Sequence, residues 1–230
     1  METQRTGRNT GLKWYNSPLS VVYNIDCMDF LKNQDDNTFD LAIVDPPYGI
    51  GEDWKKHNKG AKFDRTTYKN DRIPTREYFD ELKRVSRNQI IWGYNYYTDV
   101  LGSTNHLIVW DKKSSDNKVF HYSKCEIAYT SIHIPCNIVS IEWDGYRMGM
   151  ERKQKKIHPH QKPVQLYEWL LMNYAKKGDR ILDTHVGSGS SRIACHNLGF
   201  DYVGCEIDVT YYKKQEKRYR DYISQMRLDL

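Results

Sequence analysis

The segment that most constrains the fold is a short apolar run, residues 39–44, which stops abruptly at two consecutive prolines. A run of this length bounded by proline is typical of a strand buried in a parallel sheet, because proline cannot donate to the hydrogen-bond ladder. Similar short strands alternate with helical segments along the chain. This alternation predicts an α/β fold, with a doubly wound, mostly parallel sheet covered by helices on both faces.

The predicted elements define one main domain that is split along the sequence. We expect residues 1–17 to form a polar tail, and residues 18–110 and 157–230 to form the main domain. Residues 111–156 are rich in Lys, Ser, Asp and Asn, with strand-like segments at 126–132 and 138–143, and we interpret them as an insertion outside the core. The predicted strands cover residues 20–25, 39–44, 89–92, 106–110, 180–182 and 202–205, and the longer helices cover residues 76–87, 164–176, 191–198 and 211–225.

The composition excludes several classes of protein. With 230 residues, 39% of them hydrophobic, the chain is long enough to bury a sizeable core. No apolar run approaches the ~20 residues that a membrane-spanning helix needs. The five cysteines are scattered and odd in number, which indicates a reducing cytoplasm rather than a disulfide framework. The net charge of +5 permits a polyanionic partner.

The first candidate site is the Asp-Pro-Pro-Tyr sequence at residues 45–48, named here the proline turn. Two prolines fix φ and remove two N–H donors, so carbonyl oxygens and the Asp45 carboxylate remain as acceptors. Tyr48 adds an aromatic face. These groups suit an exocyclic amino group on a flat base, which would donate to Asp45 and to the Pro46 carbonyl. The alternative is a proline-stiffened loop with a solvated aspartate.

The second candidate site is the glycine turn, residues 183–190, which joins a predicted strand to a predicted helix. Its glycines allow close approach of a ligand to the backbone, and the helix N-terminus supplies unpaired N–H groups. Glu206 ends the next strand, 19 residues after Gly187, where an acidic residue commonly binds a ribose hydroxyl. Arg192 replaces the third glycine of a dinucleotide motif, which favours a ligand without a phosphate. A ligand-free tight turn is the alternative.

A third motif, His-Pro-x-Gln-Lys-Pro at residues 158–163, precedes the glycine turn. Together and in this order, the three motifs resemble those of the amino-group DNA methyltransferases, which use S-adenosylmethionine (SAM) to make N6-methyladenine or N4-methylcytosine. The order is similar to that of the β class, a circular permutation of the common seven-stranded SAM-binding sheet. The resemblance implies that the proline turn and the glycine turn meet at one edge of the sheet and share a cavity.

The resemblance also implies roles for individual residues. The target amino group would be held by Asp45, Pro46, Pro47 and Tyr48. Thr184 and His185 depart from the family, which has Pro-Phe at these positions. The residues that match the family's cofactor site are Asp26, with its neighbour Cys27, His158, Gln161, Lys162, Asp183, Gly187, Ser188, Gly189, Ser190 and Glu206.

Double-stranded DNA is the partner that the resemblance implies. We expect the basic loop at residues 49–72 to contact DNA phosphates and the insertion, residues 111–156, to recognise the target sequence, with most of its basic residues on phosphates. A homodimer and a separate cognate endonuclease are further candidate partners. The basic residues singled out for DNA contact are Lys55, Lys56, Lys59, Lys62, Lys112, Lys113, Lys118, Arg147, Arg152 and Lys153.

The choice of target base rests on Asp45. Aspartate at this position favours adenine in the family, whereas serine is commoner in the cytosine enzymes, so we predict N6-adenine methylation. N4-cytosine methylation and an inactive DNA-binding relative are the alternatives. No Cys or His pairing has the spacing of a metal site, so none is expected. We expect His121, His185 and His196 to lie on the surface or behind the site.

Overall fold

The computed structural model describes residues 19–50, 71–113, 123–143, 151 and 156–226. Within these residues the chain forms one eight-stranded sheet with helices on both faces. The strands are β1 (Ser20–Tyr23), β2 (Phe39–Val44), β3 (Ser86–Trp92), β4 (Leu107–Asp111), β5 (Cys125–Thr130), β6 (Asn137–Ser140), β7 (Arg180–Asp183) and β8 (Asp201–Cys205). The helices are α1 (Cys27–Leu31), α2 (Arg76–Val85), α3 (Thr98–Leu101), α4 (Val164–Tyr174), α5 (Ser190–Leu198) and α6 (Val209–Met226).

The strands lie in the order β1-β8-β7-β2-β3-β5-β4-β6. From β1 to β3 each neighbouring pair is parallel, whereas β5 runs antiparallel to both β3 and β4. At the far edge β6 pairs with β4 in parallel. The prediction of a mostly parallel α/β sheet is therefore confirmed, with eight strands in place of seven.

Two apolar clusters, one on each face, hold the helices to the sheet. On one face Phe30 of α1 and Phe79 and Leu82 of α2 pack against β2 and β3. On the other face Leu170 of α4 and Ile193 of α5 join a larger cluster that extends to β4, β5 and β6. Each fully buried side chain of this kind contributes about 1.5–3 kcal/mol relative to an exposed one. The sheet is thus doubly wound.

The prediction that residues 111–156 lie outside the core is wrong for two strands. Its β5 lies between β3 and β4, and its β6 extends the sheet beyond β4, so both belong to the core. Ala128 of β5 is fully buried. Composition favoured an insertion because β5 carries polar residues at both half-buried and buried positions, such as Glu126 and Thr130, so it has no clear apolar face. The rest of this stretch lies largely outside the described residues.

The order of the strands reverses direction between β2 and β7. From β2 the chain passes through α2 to β3 on one side, and from β7 it passes through α5 to β8 on the other. Ligands of doubly wound sheets bind at the carboxyl ends of the strands at such a switch point. In this protein both turns singled out in the sequence follow the two strands that flank it. None of the described helices has the length and apolar character needed to cross a membrane.

Candidate active site

The proline turn and the glycine turn line the same cavity at the carboxyl edge of the sheet. Asp45 and Pro47 come from the first turn, and Gly187 and Ser188 come from the second. The cavity is completed by His158, His160, Lys162, Tyr167, His185, Val186, Glu206, Ile207, Asp208 and Tyr211. The prediction that the two turns meet at one edge of the sheet is confirmed.

Aromatic residues that follow β3 pack against the proline turn and hold it in place. The hydroxyl of Tyr97 donates to the carbonyl oxygens of both Pro46 and Pro47, at 2.8 Å each. The ring of Tyr48 stacks on Tyr96 with 4.8 Å between ring centroids. A Cβ on Gly93 would lie 2.3 Å from the Tyr48 ring, so a larger residue there would displace it. The sequence analysis missed these supports, although the tyrosine-rich sequence after β3 was a visible signal.

The carboxylate of Asp45 accepts two hydrogen bonds, one at each oxygen. Tyr48 donates its hydroxyl to one oxygen at 2.5 Å, and Lys162 donates its ammonium to the other at 2.5 Å. The Lys162 ammonium also lies 2.9 Å from Glu126 of β5. Glu126 in turn pairs with Lys112 at 2.6 Å. These four groups, Asp45, Lys162, Glu126 and Lys112, form what we call the charge chain.

The charge chain is largely removed from solvent, and its charges shift the pKa values of Glu126 and Lys162. Burial would raise the pKa of Glu126, but Lys162 and Lys112 outweigh that effect and lower the pKa to about 2. Burial would likewise lower the pKa of Lys162, and Asp45 and Glu126 instead raise it above its ordinary value. The side chain of Lys162 is 4% exposed. The charged forms of Glu126 and Lys162 therefore stabilise each other.

The charge chain changes how two predicted residues, Lys162 and Lys112, are understood. Lys162, matched to the cofactor site by its motif, lies against Asp45 and thus serves the proline turn. Lys112, a predicted DNA contact, is paired with Glu126 and has a side chain only 14% exposed, which does not support that prediction. Lys113 is exposed. The other predicted DNA contacts lie outside the described residues, namely Lys55, Lys56, Lys59, Lys62, Lys118, Arg147, Arg152 and Lys153.

Backbone groups satisfy the carboxylate of Glu206, which borders the glycine turn. Gly187 and Asp208 donate their N–H groups to its two oxygens at 2.8 and 2.9 Å. Burial nevertheless raises the pKa of Glu206 to about 7, because these two donors do not replace the lost solvent. Gly187 has φ of +53°, and a Cβ on it would lie 3.4 Å from the His158 ring.

Asp183 fixes the start of the glycine turn from within the core. Its carboxylate accepts from the His185 N–H at 2.9 Å and from the hydroxyls of Ser191 at 2.6 Å and Tyr202 at 3.3 Å. It is 2% exposed, and burial raises its pKa to about 6. Asp183 therefore ties β7 to α5 and does not line the cavity itself.

The two serines and the second glycine of this turn pack against α6. The Ser188 and Ser190 hydroxyls lie 3.1 Å apart. Arg218 of α6 donates to the Ser188 carbonyl and to the Ser190 hydroxyl, at 2.9 Å each. Gly189, with φ of +73°, caps α5 in a conformation that favours glycine.

The His-Pro-x-Gln-Lys-Pro motif forms the floor of the cavity. The ring of His158 packs on Tyr211 with 4.4 Å between centroids, and burial lowers its pKa well below the ordinary value. Gln161 accepts from the Ile157 N–H at 3.0 Å through its side-chain oxygen. Its amide nitrogen is buried and has no hydrogen-bond partner among the described residues. That nitrogen is an unpaired donor next to the site.

Asp26 and Cys27 lie at the carboxyl end of β1, outside the set of residues that line the cavity. Asp26 caps α1 by accepting from the Met28 N–H at 2.8 Å. Burial, with Asp26 next to it, raises the pKa of the Cys27 thiol to about 12. His185, expected on the surface or behind the site, lines the cavity wall instead.

Comparisons with known proteins agree with this geometry. Residues 75–217 match a family model described as "DNA methylase". Type II methyltransferase M.HpaI from Haemophilus parainfluenzae is 25% identical, over 82% of this chain and 70% of the relative. The M1.HpyAVI–SAM complex superposes with a TM-score of 0.60 at 18% identity, over 86% of this chain and 98% of that one. The cytosine-N4-specific PvuII DNA methyltransferase also gives 0.60, at 13% identity, over 88% and 87%.

A doubly wound sheet with acid-bearing turns at its switch point is the architecture of a SAM-dependent methyltransferase, and the superposed structures share this fold. The family match covers more than half of the sequence, so the chain belongs to the DNA methylase family of N6-adenine and N4-cytosine enzymes. This family uses S-adenosylmethionine and acts on DNA. The two structures, at identities below 25%, support the fold alone.

Proposed function

We propose that the protein transfers a methyl group from S-adenosylmethionine to the N6 amino group of adenine in double-stranded DNA. The observation that carries the proposal is the single cavity lined by both the proline turn and the glycine turn. The first turn offers acceptors for an amino group, and the second borders the space for the methyl donor. Asp45 in the first position of the proline turn supports adenine over cytosine.

The residues around the cavity suit S-adenosylmethionine. The wall carries three carboxyl groups, those of Asp45, Glu206 and Asp208, and one ammonium, that of Lys162. This excess of acids favours a positively charged ligand over a phosphate. When bound, the cofactor supplies an electrophilic methyl group. Of the residues proposed to hold it, His158, Gly187, Ser188 and Glu206 line the cavity. The others lie outside its lining, namely Asp26, Cys27, Gln161, Asp183, Gly189 and Ser190, and we propose that they support those that do.

The proline turn activates the target nitrogen. Its lone pair is delocalised into the base, so it is a weak nucleophile. Acceptance of its hydrogens by Asp45 and the Pro46 carbonyl favours a tetrahedral nitrogen and stabilises the positive charge that develops there. After the nitrogen gains the methyl group it loses one proton, and Asp45 is positioned to accept it. A target base must leave the helical stack, and stacking on Tyr48 offsets part of that cost by ~1–3 kcal/mol.

Lys162 has to release one oxygen of Asp45 before an amino group can bind there. It can do so without losing its counter-ion, because its ammonium lies between Asp45 and Glu126 at 2.5 and 2.9 Å. We propose that Lys162 rests on Glu126 while the base occupies Asp45. Glu126 thus keeps a buried ammonium paired throughout the reaction.

The test is Asp45→Ala, with Asp35→Ala as the matched control because Asp35 is an exposed aspartate distant from the site. We expect Asp45→Ala to lower transfer of tritiated methyl groups to DNA by more than about 100-fold. Calorimetric titration should still detect S-adenosylmethionine binding. Near wild-type transfer by Asp45→Ala would refute the role of the proline turn.

The target base requires a separate measurement. DNA methylated by the wild-type protein is digested to nucleosides and analysed by mass spectrometry. N6-methyladenine is the expected product, and N4-methylcytosine would replace the adenine assignment while leaving the reaction class intact. An absence of both products, with DNA binding retained, would favour an inactive DNA-binding relative.

Two further partners stay predictions, a second copy of the chain and a separate cognate endonuclease. Sedimentation equilibrium tests the first, with a mass of twice 27.3 kDa as the result expected for a homodimer.

A further inference from the structure

His185 is the residue at which this chain departs from the family pattern and also lines the cavity. It follows the fully buried Thr184 and belongs to the wall between the proline turn and the glycine turn. Phenylalanine, the usual residue, presents no polar atom. An imidazole at this position therefore adds a chemical group that the pattern does not explain.

A hydrogen-bond chain from α2 fixes the imidazole. The hydroxyl of Tyr78 lies 2.7 Å from the Thr184 hydroxyl, which lies 2.9 Å from Nδ1 of His185. The rings of Tyr78 and His185 also meet edge to face, 5.5 Å apart at an interplanar angle of 74°. The ring thus has both its plane and one of its nitrogens held by the core.

The direction of this hydrogen-bond chain determines which ring nitrogen of His185 carries the proton. Tyr78 is 2% exposed, and within the described residues its hydroxyl hydrogen has no acceptor other than Thr184. A reversed chain would leave that buried hydrogen unpaired, at a cost of about 1–3 kcal/mol. Tyr78 therefore donates to Thr184, Thr184 donates to Nδ1, and the proton of His185 resides on Nε2.

None of the described residues forms a hydrogen bond with Nε2, the second nitrogen of the His185 ring. Because Nδ1 lies against Thr184 and His185 lines the cavity, we infer that Nε2 faces the cavity. Burial lowers the pKa of His185 to about 4, so the ring is neutral at physiological pH. The cavity wall therefore contains one uncharged N–H donor of fixed direction.

The position of His185 indicates which part of the ligand this residue would contact. Its neighbour Val186 donates its N–H to the Cys205 carbonyl at 3.1 Å, one residue before Glu206. Asp26 is near enough to act electrostatically on the imidazole. His185 thus lies close to Glu206, the acid matched to a ribose hydroxyl, and to Asp26, which matches the family's cofactor site. We therefore place the adenosyl half of the cofactor beside His185.

We propose that Nε2–H of His185 donates to a ring nitrogen of the cofactor's adenine, which makes His185 a specificity residue for the adenine ring. Tyr78 and Thr184 are positioning residues that hold this tautomer. The inference rests on the proposed function, since it needs the cofactor in this cavity. It adds to that function a hydrogen bond that phenylalanine cannot make.

The test compares S-adenosylhomocysteine with its 1-deaza, 3-deaza and 7-deaza analogues by calorimetry, on wild-type protein and on His185→Phe. We expect wild type to lose about 5-fold in affinity for the one analogue that lacks the accepting nitrogen. His185→Phe should bind that analogue and the parent compound equally. Wild-type discrimination that persists in His185→Phe, or wild type that binds all four equally, would overturn the inference.

The tautomer is measured directly by ¹⁵N NMR of the histidine side chains. We expect His185 to carry its proton on Nε2 in wild type and in Thr184→Ser, and to become a mixture of tautomers in Thr184→Val. A proton on Nδ1 in wild type would reverse the donor and overturn the inference. A merely structural threonine would leave the tautomer unchanged in Thr184→Val.

Failure of the proposed function gives a different result. Wild-type protein that binds none of the four compounds would remove the cofactor from the cavity and the inference with it. Wild type that binds S-adenosylhomocysteine as tightly as His185→Phe does, with equal affinity for every analogue, would remove the inference alone. Circular dichroism melts of each variant separate loss of a contact from loss of the fold.

Discussion

The proline turn and the glycine turn border one cavity but are held in place by different means. Asp45 accepts from Lys162, 117 residues away, and the Pro46 carbonyl accepts from Tyr97, 51 residues away. In the glycine turn Asp183 accepts from Ser191, only 8 residues away. The first turn is thus supported mainly by side chains from remote elements, whereas the second is supported by its own loop, the next strand and Arg218 of α6.

The difference agrees with the tasks proposed for the two turns. A site that accepts a large flipped base needs acceptors that can exchange their hydrogen-bond partner. Asp45 can do so, because its partner Lys162 also pairs with Glu126. A loop that borders a small ligand needs a fixed backbone, and carboxylates that accept N–H groups provide that. The charge chain is therefore an exchangeable support, whereas Asp183 and Glu206 are permanent ones.

Two acids beside the turns, Glu126 and Glu206, also contribute to stability over opposite pH ranges. The pKa of Glu126, about 2, lies below its ordinary 4.5, so this group contributes stability above pH 4.5 that is lost as pH falls towards 2. The pKa of Glu206, about 7, lies above 4.5. Its contribution is fully present below pH 4.5 and is lost as pH rises through about 7.

The largest expected effect comes from breaking the charge chain. Lys162→Met removes the ammonium that lies between Asp45 and Glu126. The two carboxyl groups then remain largely buried without the cation they shared. We expect the free energy of unfolding in urea to fall by about 3–5 kcal/mol. The control is Lys32→Met, which removes an exposed ion pair with Glu77 and should leave the free energy of unfolding nearly unchanged. Equal losses in the two variants would contradict the importance of the buried network.

A smaller effect is expected from Gly93→Ala behind the proline turn. Gly93 has φ of +80°, and the added Cβ would meet the Tyr48 ring at 2.3 Å. Backbone strain and overpacking together should lower the free energy of unfolding by about 2–4 kcal/mol. Methyl transfer should fall as well, because the ring on which the base stacks is displaced. Unchanged transfer would show that the position of Tyr48 is not needed.

The matched substitution in the other turn is Gly187→Ala. Its φ of +53° is strained for alanine, but the added Cβ would lie 3.4 Å from the His158 ring, an ordinary contact. We therefore expect a loss of about 1–2 kcal/mol in urea unfolding, smaller than for Gly93→Ala. The reverse ranking of the two variants would contradict the view that the proline turn is the more tightly packed.

The smallest expected effect is a change in the pH dependence of the free energy of unfolding. Glu206→Gln removes the group whose pKa is raised to about 7. Relative to this variant, wild type should lose free energy of unfolding as pH rises from 4.5 to 7. Urea unfolding at pH 4.5, 6 and 7.5 measures the difference, and Asp183 contributes equally to both proteins. A constant difference across this range would show that the Glu206 pKa is not raised.

The amino-acid sequence by itself determined the alternating strands and helices, the two turns and their place at one edge of the sheet. These features are local: proline and glycine act on their own backbone, and parallel strands end on the same side. Only the tertiary structure decided that β5 and β6 belong to the sheet, that Tyr97 supports the proline turn and that Lys162 lies between Asp45 and Glu126. Strand pairing and buried ion pairs join residues far apart in the chain, and composition or spacing carries no information about which partner each will meet.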